Sequence, residues 1–478
     1  MKNLQRALVL FLGLLPLCSF SEDLFIGKAS VSITPELPVA LSGQMRTRIA
    51  KEVESEVIAS AVAIESRDGD QSLEQAIMVS CDLVAIRQGI LEMVRDRVSD
   101  RLPEFDTRKI FVNATHSHTA PVMVPGKYKI PEGVTQPEDY RKFLADCITD
   151  IVVESWNTRE PGAVGWGLGH AVVAHNRRTV YANGVAQMYG STKRKDFREI
   201  EGYEDHGVEV LFFWNREKKL IATAINIACP SQEVEGIHKV SADFWHPVRE
   251  KLKEKYGEDL VILTWAGASG DQSPHLMYRK AAEERMRKLR GLSRLDELAR
   301  RIVQAWDDAY QGAVQEMKSD LAFSHQVKDI ELPNRIVTEE EYQHAQTQFN
   351  KLSGDVNTLW KALWHQRVME RYELHQAGEL KPYPMELHVI RLGDIAIATN
   401  PFELFTDYGL RMKTQSPALQ TFVVQLTGPG TYLPTEKAVR GGGYSAIVES
   451  SVVGPEGGQF LVEETTSVIR SLWPKTEK

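Results

Sequence analysis

Cysteine is scarce in this chain of 478 residues: there are four. Cys18 lies in an N-terminal apolar stretch, leaving Cys81, Cys147 and Cys229. Three is an odd number, so at least one thiol stays unpaired and a disulfide-stapled fold is not expected. Basic runs with interleaved aromatics are also missing. The formal charge is −8, and a mildly acidic chain disfavours nonspecific contact with nucleic acid. Beyond the N-terminus no apolar run reaches the length of a membrane-spanning helix. There is no internal repeat, no low-complexity linker, and no His-Glu-x-x-His, Walker or dinucleotide glycine motif. Hydrophobic residues make up 42% and charged residues 26%, which fits an ordinary globular protein rather than a disordered or fibrous one.

The N-terminus stands apart. Lys2 and Arg6 precede the apolar run Ala7 to Leu17, and the small residues Ser19 and Ser21 follow. A basic start, a short apolar core and a small-residue cleavage site predict a signal peptide over residues 1–21 and export to the periplasm or the medium. Its removal takes away two positive charges and moves the formal charge to −10.

In the remaining chain, residues 22–478, strand and helix patterns alternate. Val57 to Glu65, Ala76 to Cys81 and Lys109 to Asn113 read as strands. Leu83 to Ser99 and Glu138 to Glu154 have helical spacing. Val208 to Trp214 and Leu220 to Ala228 predict a hairpin, followed by a helix over Asp243 to Tyr256 and a buried strand over Leu260 to Thr264. Ser293 with Asp296, and Thr338 with Glu341, are helix-start signals. The second opens a helical insertion over about residues 338–377, broken at Ser353-Gly354 and resuming with an aromatic stripe through Trp360 and Trp364. That stripe reads as core packing, with a lid or lipid-facing role as the alternative. Met385 to Thr399 and Phe422 to Leu426 return to strand, and a terminal helix is expected over Glu463 to Leu472. The pattern predicts one large α/β domain with mixed sheets, flanking helices and a helical insertion.

Five places join polar chemistry to a strand end, where loops display functional groups. His116 and His118 follow the strand ending near Asn113. Residues i and i+2 of an extended segment share a face, so both rings can enter one pocket, one as a metal ligand and one as an acid/base group. Ser273 lies in the glycine-rich loop after Leu260 to Thr264, as a nucleophile or a substrate anchor. Glu403 follows Asn400-Pro401-Phe402 and can bind metal, act as a base, or answer a helix dipole. Cys229, near Gln232, is a zinc ligand or an inert core thiol. Arg177, beside Asn176, can steady an oxyanion.

The order of these motifs resembles the catalytic domain of the neutral/alkaline, non-lysosomal ceramidases. The family's Gly-x-x-x-x-x-Ile-Thr-Pro element matches Gly27 to Pro35, and its double-histidine loop matches Thr115 to Pro121. Its Asn-Arg segment matches Asn176-Arg177, its Gly-Asp-Val-Ser-Pro loop Gly270 to Pro274, its Pro-x-Glu strand end Pro401 to Glu403, and its late tyrosine Tyr444. The resemblance runs from about Phe25 to Leu472. It implies a zinc ion on His116, Glu403 and Tyr444, with Ser273, His118 and Arg177 as catalytic residues. Cys229 stands where the family has its remaining ligand histidine, and His238 is a second possible replacement. Thr119-Ala120-Pro121 replaces the family's Ser-Gly-Pro. The chain is not expected to carry the family's immunoglobulin-like C-terminal domain. The implied function is an exported, metal-dependent hydrolase of amide or ester bonds. Its substrate would be a small or lipid-like acylated molecule, ceramide or another, with peripheral membrane contact possible and no nucleic-acid partner. The competing expectation is an exported binding protein that keeps the fold without catalysis.

Overall fold

The computed structural model describes residues 23–355 and 358–473. The expected signal peptide, residues 1–21, lies outside the described residues. Eight strands build the larger sheet: β1 (Asp23–Ser32), β2 (Ile58–Asp68), β3 (Gln71–Cys81), β4 (Ile110–Ala114), β5 (Glu160–His170), β6 (Gly207–Asn215), β7 (Leu220–Ile227) and β8 (Val261–Ala266). Their spatial order is β8-β7-β6-β5-β1-β2-β3-β4. The edge pairs β7–β8 and β3–β4 are parallel and the interior pairs antiparallel. A smaller sheet runs β9 (Phe323–Leu332), β10 (Tyr383–Leu392), β11 (Ile395–Thr399) and β12 (Gln420–Val424), with β11–β12 parallel.

Strand alternation sorts the side chains into layers. On β2, Ala61 and Ala63 face helices α1 (Ile90–Arg101) and α2 (Pro137–Asn157). Val62 and Ile64 face the other way and pack with Ile390, Ile397 and Phe422 of the smaller sheet. The two sheets therefore stack face to face. The outer face of the smaller sheet is covered by α7 (Thr406–Gln415) and α8 (Pro455–Ser471) through Tyr408, Met412, Leu461 and Ile469. Helices α3 (Trp245–Tyr256) and α4 (Arg294–Ala313) cover the β6–β8 end of the larger sheet. The result is the expected mixed α/β domain, layered helix-sheet-sheet-helix.

Helix α4 sits very close to β5, and the sequence shows why. A Cβ on Gly167 would stand 2.6 Å from the Ala309 carbonyl, and one on Gly169 2.0 Å from that of Ala305. Glycine on the strand and alanine on the helix let the two backbones meet. Those glycines also hid β5 from pattern reading, since they break the β-branched alternation of a strand.

The start signals held. Ser293 Oγ accepts the Asp296 amide at α4, and Thr338 with Glu341 forms a reciprocal capping box at α5 (Glu339–Leu352). Helix α5 and helix α6 (Leu359–Gln376) occupy the expected helical insertion. Two helix starts moved by more than two residues. The helix expected from Leu83 begins at Ile90. Leu83 to Ile86 form instead a buried connection whose carbonyls hold the double-histidine loop, so their apolarity reflects burial beneath the site. The terminal helix begins at Pro455, not Glu463, because Gly457 and Gly458 weaken its first turn as a helix signal.

Candidate active site

Five strands end at one rim. The loops following β4, β7, β8, β11 and β12, each a member of a parallel pair, are laced together by backbone hydrogen bonds. Ala114 N donates to Leu426 O, Ser231 N to Thr115 O, Gln425 N to Ala266 O and Gly270 N to Leu404 O. The carboxyl ends of parallel strands in open sheets are where ligands tend to bind.

The loop after β4 carries the two histidines. Its other residues point into protein: Thr115 N donates to Cys81 O, Ser117 N to Leu83 O, and the Ser117 and Thr119 hydroxyls to Ser241 O. His116 takes a left-handed backbone, φ 66, so the segment is kinked rather than extended. Both rings nevertheless enter one space, with Nε2 to Nε2 at 3.3 Å. Behind His118 lies Gly43, at φ 92, where an added Cβ would stand 2.4 Å from the His118 Cγ. Arg48, buried, clamps the same region by donating to the carbonyls of Ser42, His118, Glu235 and Ile237.

His116 Nδ1 lies 2.7 Å from the Val84 carbonyl, an acceptor only, so Nδ1 carries the proton. Its Nε2 faces the Glu403 carboxylate at 3.3 Å. Burial alone would raise the Glu403 carboxyl, but the His116 ring, the Tyr432 hydroxyl and Arg177 overcome it and hold it at about 2. A bare imidazole lone pair facing an ionised carboxylate is unfavourable unless a proton or a metal ion lies on that nitrogen. Two ligands of a tetrahedral ion at about 2.05 Å stand roughly 3.3 Å apart. His116 and Glu403 therefore fit a shared cation, and the Val84 carbonyl is the usual second partner of a ligating histidine.

The rest of the expected ligand set is divided. Tyr444 is near: its ring lies 5.6 Å from that of Tyr432, whose hydroxyl faces Glu403. Cys229 is not brought to this pair. Ile225, Ile227 and Cys229 share the β7 face that packs under α3 and α4, and the thiol's hydrogen bond is to the adjacent Pro230 carbonyl. Burial pushes that thiol well above its ordinary range, the state of an inert core cysteine. His238 is exposed beside Lys51 and Leu295, away from His116. Among the described residues no three His, Cys, Asp or Glu side chains are grouped to hold an ion.

His118 Nε2 lies 2.9 Å from Gln232 Nε2, and its Nδ1 lies 3.0 Å from Glu235 Oε2 in a contact bent away from hydrogen-bond geometry. Burial, opposed by Glu235, pulls His118 down to about 4. Arg177, buried, donates to Tyr189 OH at 3.3 Å, Gln232 Oε1 at 3.2 Å, Gly270 O at 3.0 Å and Tyr432 OH at 3.1 Å. Its Nε has no partner among the described residues. Ser273 Oγ accepts from Tyr189 OH at 3.0 Å and from the His275 amide at 3.1 Å. No imidazole bonds to that hydroxyl.

Glu235, Gln232, Tyr189, His275 and Tyr432 thus join the expected residues. Gln232 was visible as the polar neighbour of Cys229, and His275 directly follows the Ser273 motif. Tyr432 sits in the Gly/Pro-rich segment after β12, opposite Glu403 in a short parallel pairing. Glu235 and Tyr189 carry no sequence signal.

No protein-family model matches the chain, and no curated protein matches it. Solved structures do. Neutral ceramidase from Pseudomonas aeruginosa superposes with a TM-score of 0.67 at 17% identity, over 96% of this chain and 76% of that one. A ceramidase complexed with C2 gives a TM-score of 0.67 at 15% identity, over 96% and 77%. The chain has the fold of neutral ceramidases, as the order of its motifs predicted. Among the described residues no helix is long and apolar enough to cross a membrane.

Proposed function

We propose that this chain is an exported hydrolase of acyl bonds, cleaving an N-acyl amide or an ester with the help of a divalent ion. The observation that carries the reading is the convergence of His116 and Glu403 at 3.3 Å, beside His118 and Arg177, at the rim of parallel strand ends. His116 and Glu403 would hold the ion, with the phenols of Tyr432 and Tyr444 as the nearest further donors, and zinc is the identity that the ceramidase likeness favours. When bound, such an ion polarises the substrate carbonyl and acidifies water. The protein's own groups do the rest. His118, kept uncharged by burial, takes a proton at Nε2. Arg177 is fixed by four hydrogen bonds and supplies positive charge beside the developing oxyanion. Ser273 is better suited to anchoring Tyr189, and through it Arg177, than to attack, since no base is bonded to its hydroxyl.

The test is acyl release from a panel of N-acyl amides and esters, with metal content measured on the same preparation. His116→Ala should lose bound metal and activity together, the latter by about a hundredfold or more. Ser273→Ala should keep measurable kcat; complete loss of kcat with an intact fold would restore the nucleophile role. The second reading, a non-catalytic binding protein, is favoured by one observation: no three-ligand group exists among the described residues. Metal-free protein, inert on the whole panel with and without added zinc, decides for it.

A further inference from the structure

Trp360, Trp364 and Arg367 recur at i, i+4 and i+7, so one stripe of α6 carries all three. Its two tryptophans face the site, while Arg367 is exposed at the end of the stripe. Trp360 and Trp364 stack at 5.7 Å, Trp364 meets Tyr444 at 5.9 Å, and Tyr444 meets Tyr432, which bonds to Arg177. From the opposite side the Lys127 ammonium lies 5.2 Å from the Trp360 ring centroid. Arg87, on the buried connection that carries Val84, donates one hydrogen bond to the Pro429 carbonyl. Arg87 and Lys127 both feel the Glu403 carboxylate and both feel Arg367. Among the described residues none of these three cations has a carboxylate within ion-pair distance.

Arg87 and Lys127 are half-buried and Arg367 is exposed; like charges beside one another repel, and burial adds to the cost for the first two. Arg87 and Arg367 join burial in pushing Lys127 down to about 7. Carboxylates compensate Arg178, Arg249 and Lys413 elsewhere in this molecule, while Arg48 and Arg177 are instead held by several neutral oxygen acceptors. Here Glu403 is engaged with His116 and Tyr432, so the compensation has to come from outside.

We propose that the substrate is an acyl compound whose head group carries an oxyanion, a carboxylate or a sulfonate, held by Arg87, Lys127 and Arg367 beside Trp360. This assignment rests on the acyl-hydrolase reading of the floor. Hydrolysis would consume one water, break the acyl C–N bond, and release a fatty carboxylate and an acidic amine.

The experiment uses the full-length mature protein and three matched probes: N-decanoylglycine, N-decanoyltaurine and the neutral N-decanoylglycinamide. Fatty-acid release and calorimetric binding are both measured. At least one acidic probe should exceed the neutral one by about tenfold or more in kcat/KM and in affinity. The preference should shrink with added salt, and the acidic-to-neutral ratio should fall several-fold in Lys127→Gln and in Arg87→Gln. Which acidic probe wins separates carboxylate from sulfonate. Equal or better handling of the neutral probe overturns the proposal, as does an unchanged ratio in both variants. If no probe is hydrolysed but an acidic one binds preferentially, the hydrolase reading fails and the charge assignment stands.

Discussion

Two sets of cations in this molecule are treated in opposite ways. Arg178, fully buried, is matched by Glu201 at 3.0 Å and by the carbonyls of Ala438 and Gly442. Arg249 forms a two-pronged pair with Asp82 at 2.6 and 3.0 Å, and Lys413 meets Asp205 and Glu209. The half-buried Arg87 and Lys127 and the exposed Arg367, around the candidate site, have no such carboxylates among the described residues. The first set is what a fold needs, because a buried charge is tolerated when it is paired, or, as with Arg48 and Arg177, when neutral acceptors surround it. The second set is unfavourable for the fold taken alone, and that is the signature of groups kept for a ligand.

The contrast can be tested by its consequences for stability. Arg249→Met strands the Asp82 carboxylate, which is fully buried, and should cost about 3–5 kcal/mol in denaturant unfolding. Gly43→Ala forces a side chain into a left-handed position against the His118 ring. It should cost roughly 1–3 kcal/mol and lower kcat by displacing that ring, with the fold otherwise intact by circular dichroism. Thr338→Ala removes the capping box of α5 and should cost about 1 kcal/mol locally, seen as faster hydrogen exchange over residues 339–352 beside the α6 stripe. Lys127→Gln should cost nothing. An unfolded lysine titrates near 10.4, while burial, Arg87 and Arg367 hold the folded one at about 7 against the pull of Glu403. Between about pH 7 and pH 10.4 the unfolded chain therefore binds more protons, and wild-type stability gains from rising pH; below that window the penalty is complete. Lys127→Gln should equal or exceed wild type at pH 6, with the difference closing by pH 10. A clear loss of stability at pH 6 would move Lys127 to the structural set.

The double-histidine loop was legible because both histidines sit two residues apart in one segment. Thr115, Ser117 and Thr119 bond to the backbone of distant segments, and the alternate residues are left to face the site. Ser273, Arg177 and Glu403 were legible as polar residues at strand ends. Cys229 shows the limit of that rule: it too ends a strand, but it follows Ile225 and Ile227 in parity and so faces the helices. Glu235, Tyr189 and Tyr432 acquire their places only when separate loops are stitched together at the rim. No spacing within one segment records that. The strands β1, β5 and β9 were unread for a different reason in the case of β5, where helix packing selected glycine over strand formers.

The central claim is that Glu403 and His116 form the working centre of an acyl hydrolase. It is tested most directly by acyl release from N-acyl amides by wild type and by Glu403→Gln, an isosteric change that removes the charge facing His116 Nε2. Release by wild type, and its loss together with bound metal in the folded variant, is the predicted result. Wild type that releases no acyl group with zinc supplied, or a Glu403→Gln variant as active as wild type, would contradict it.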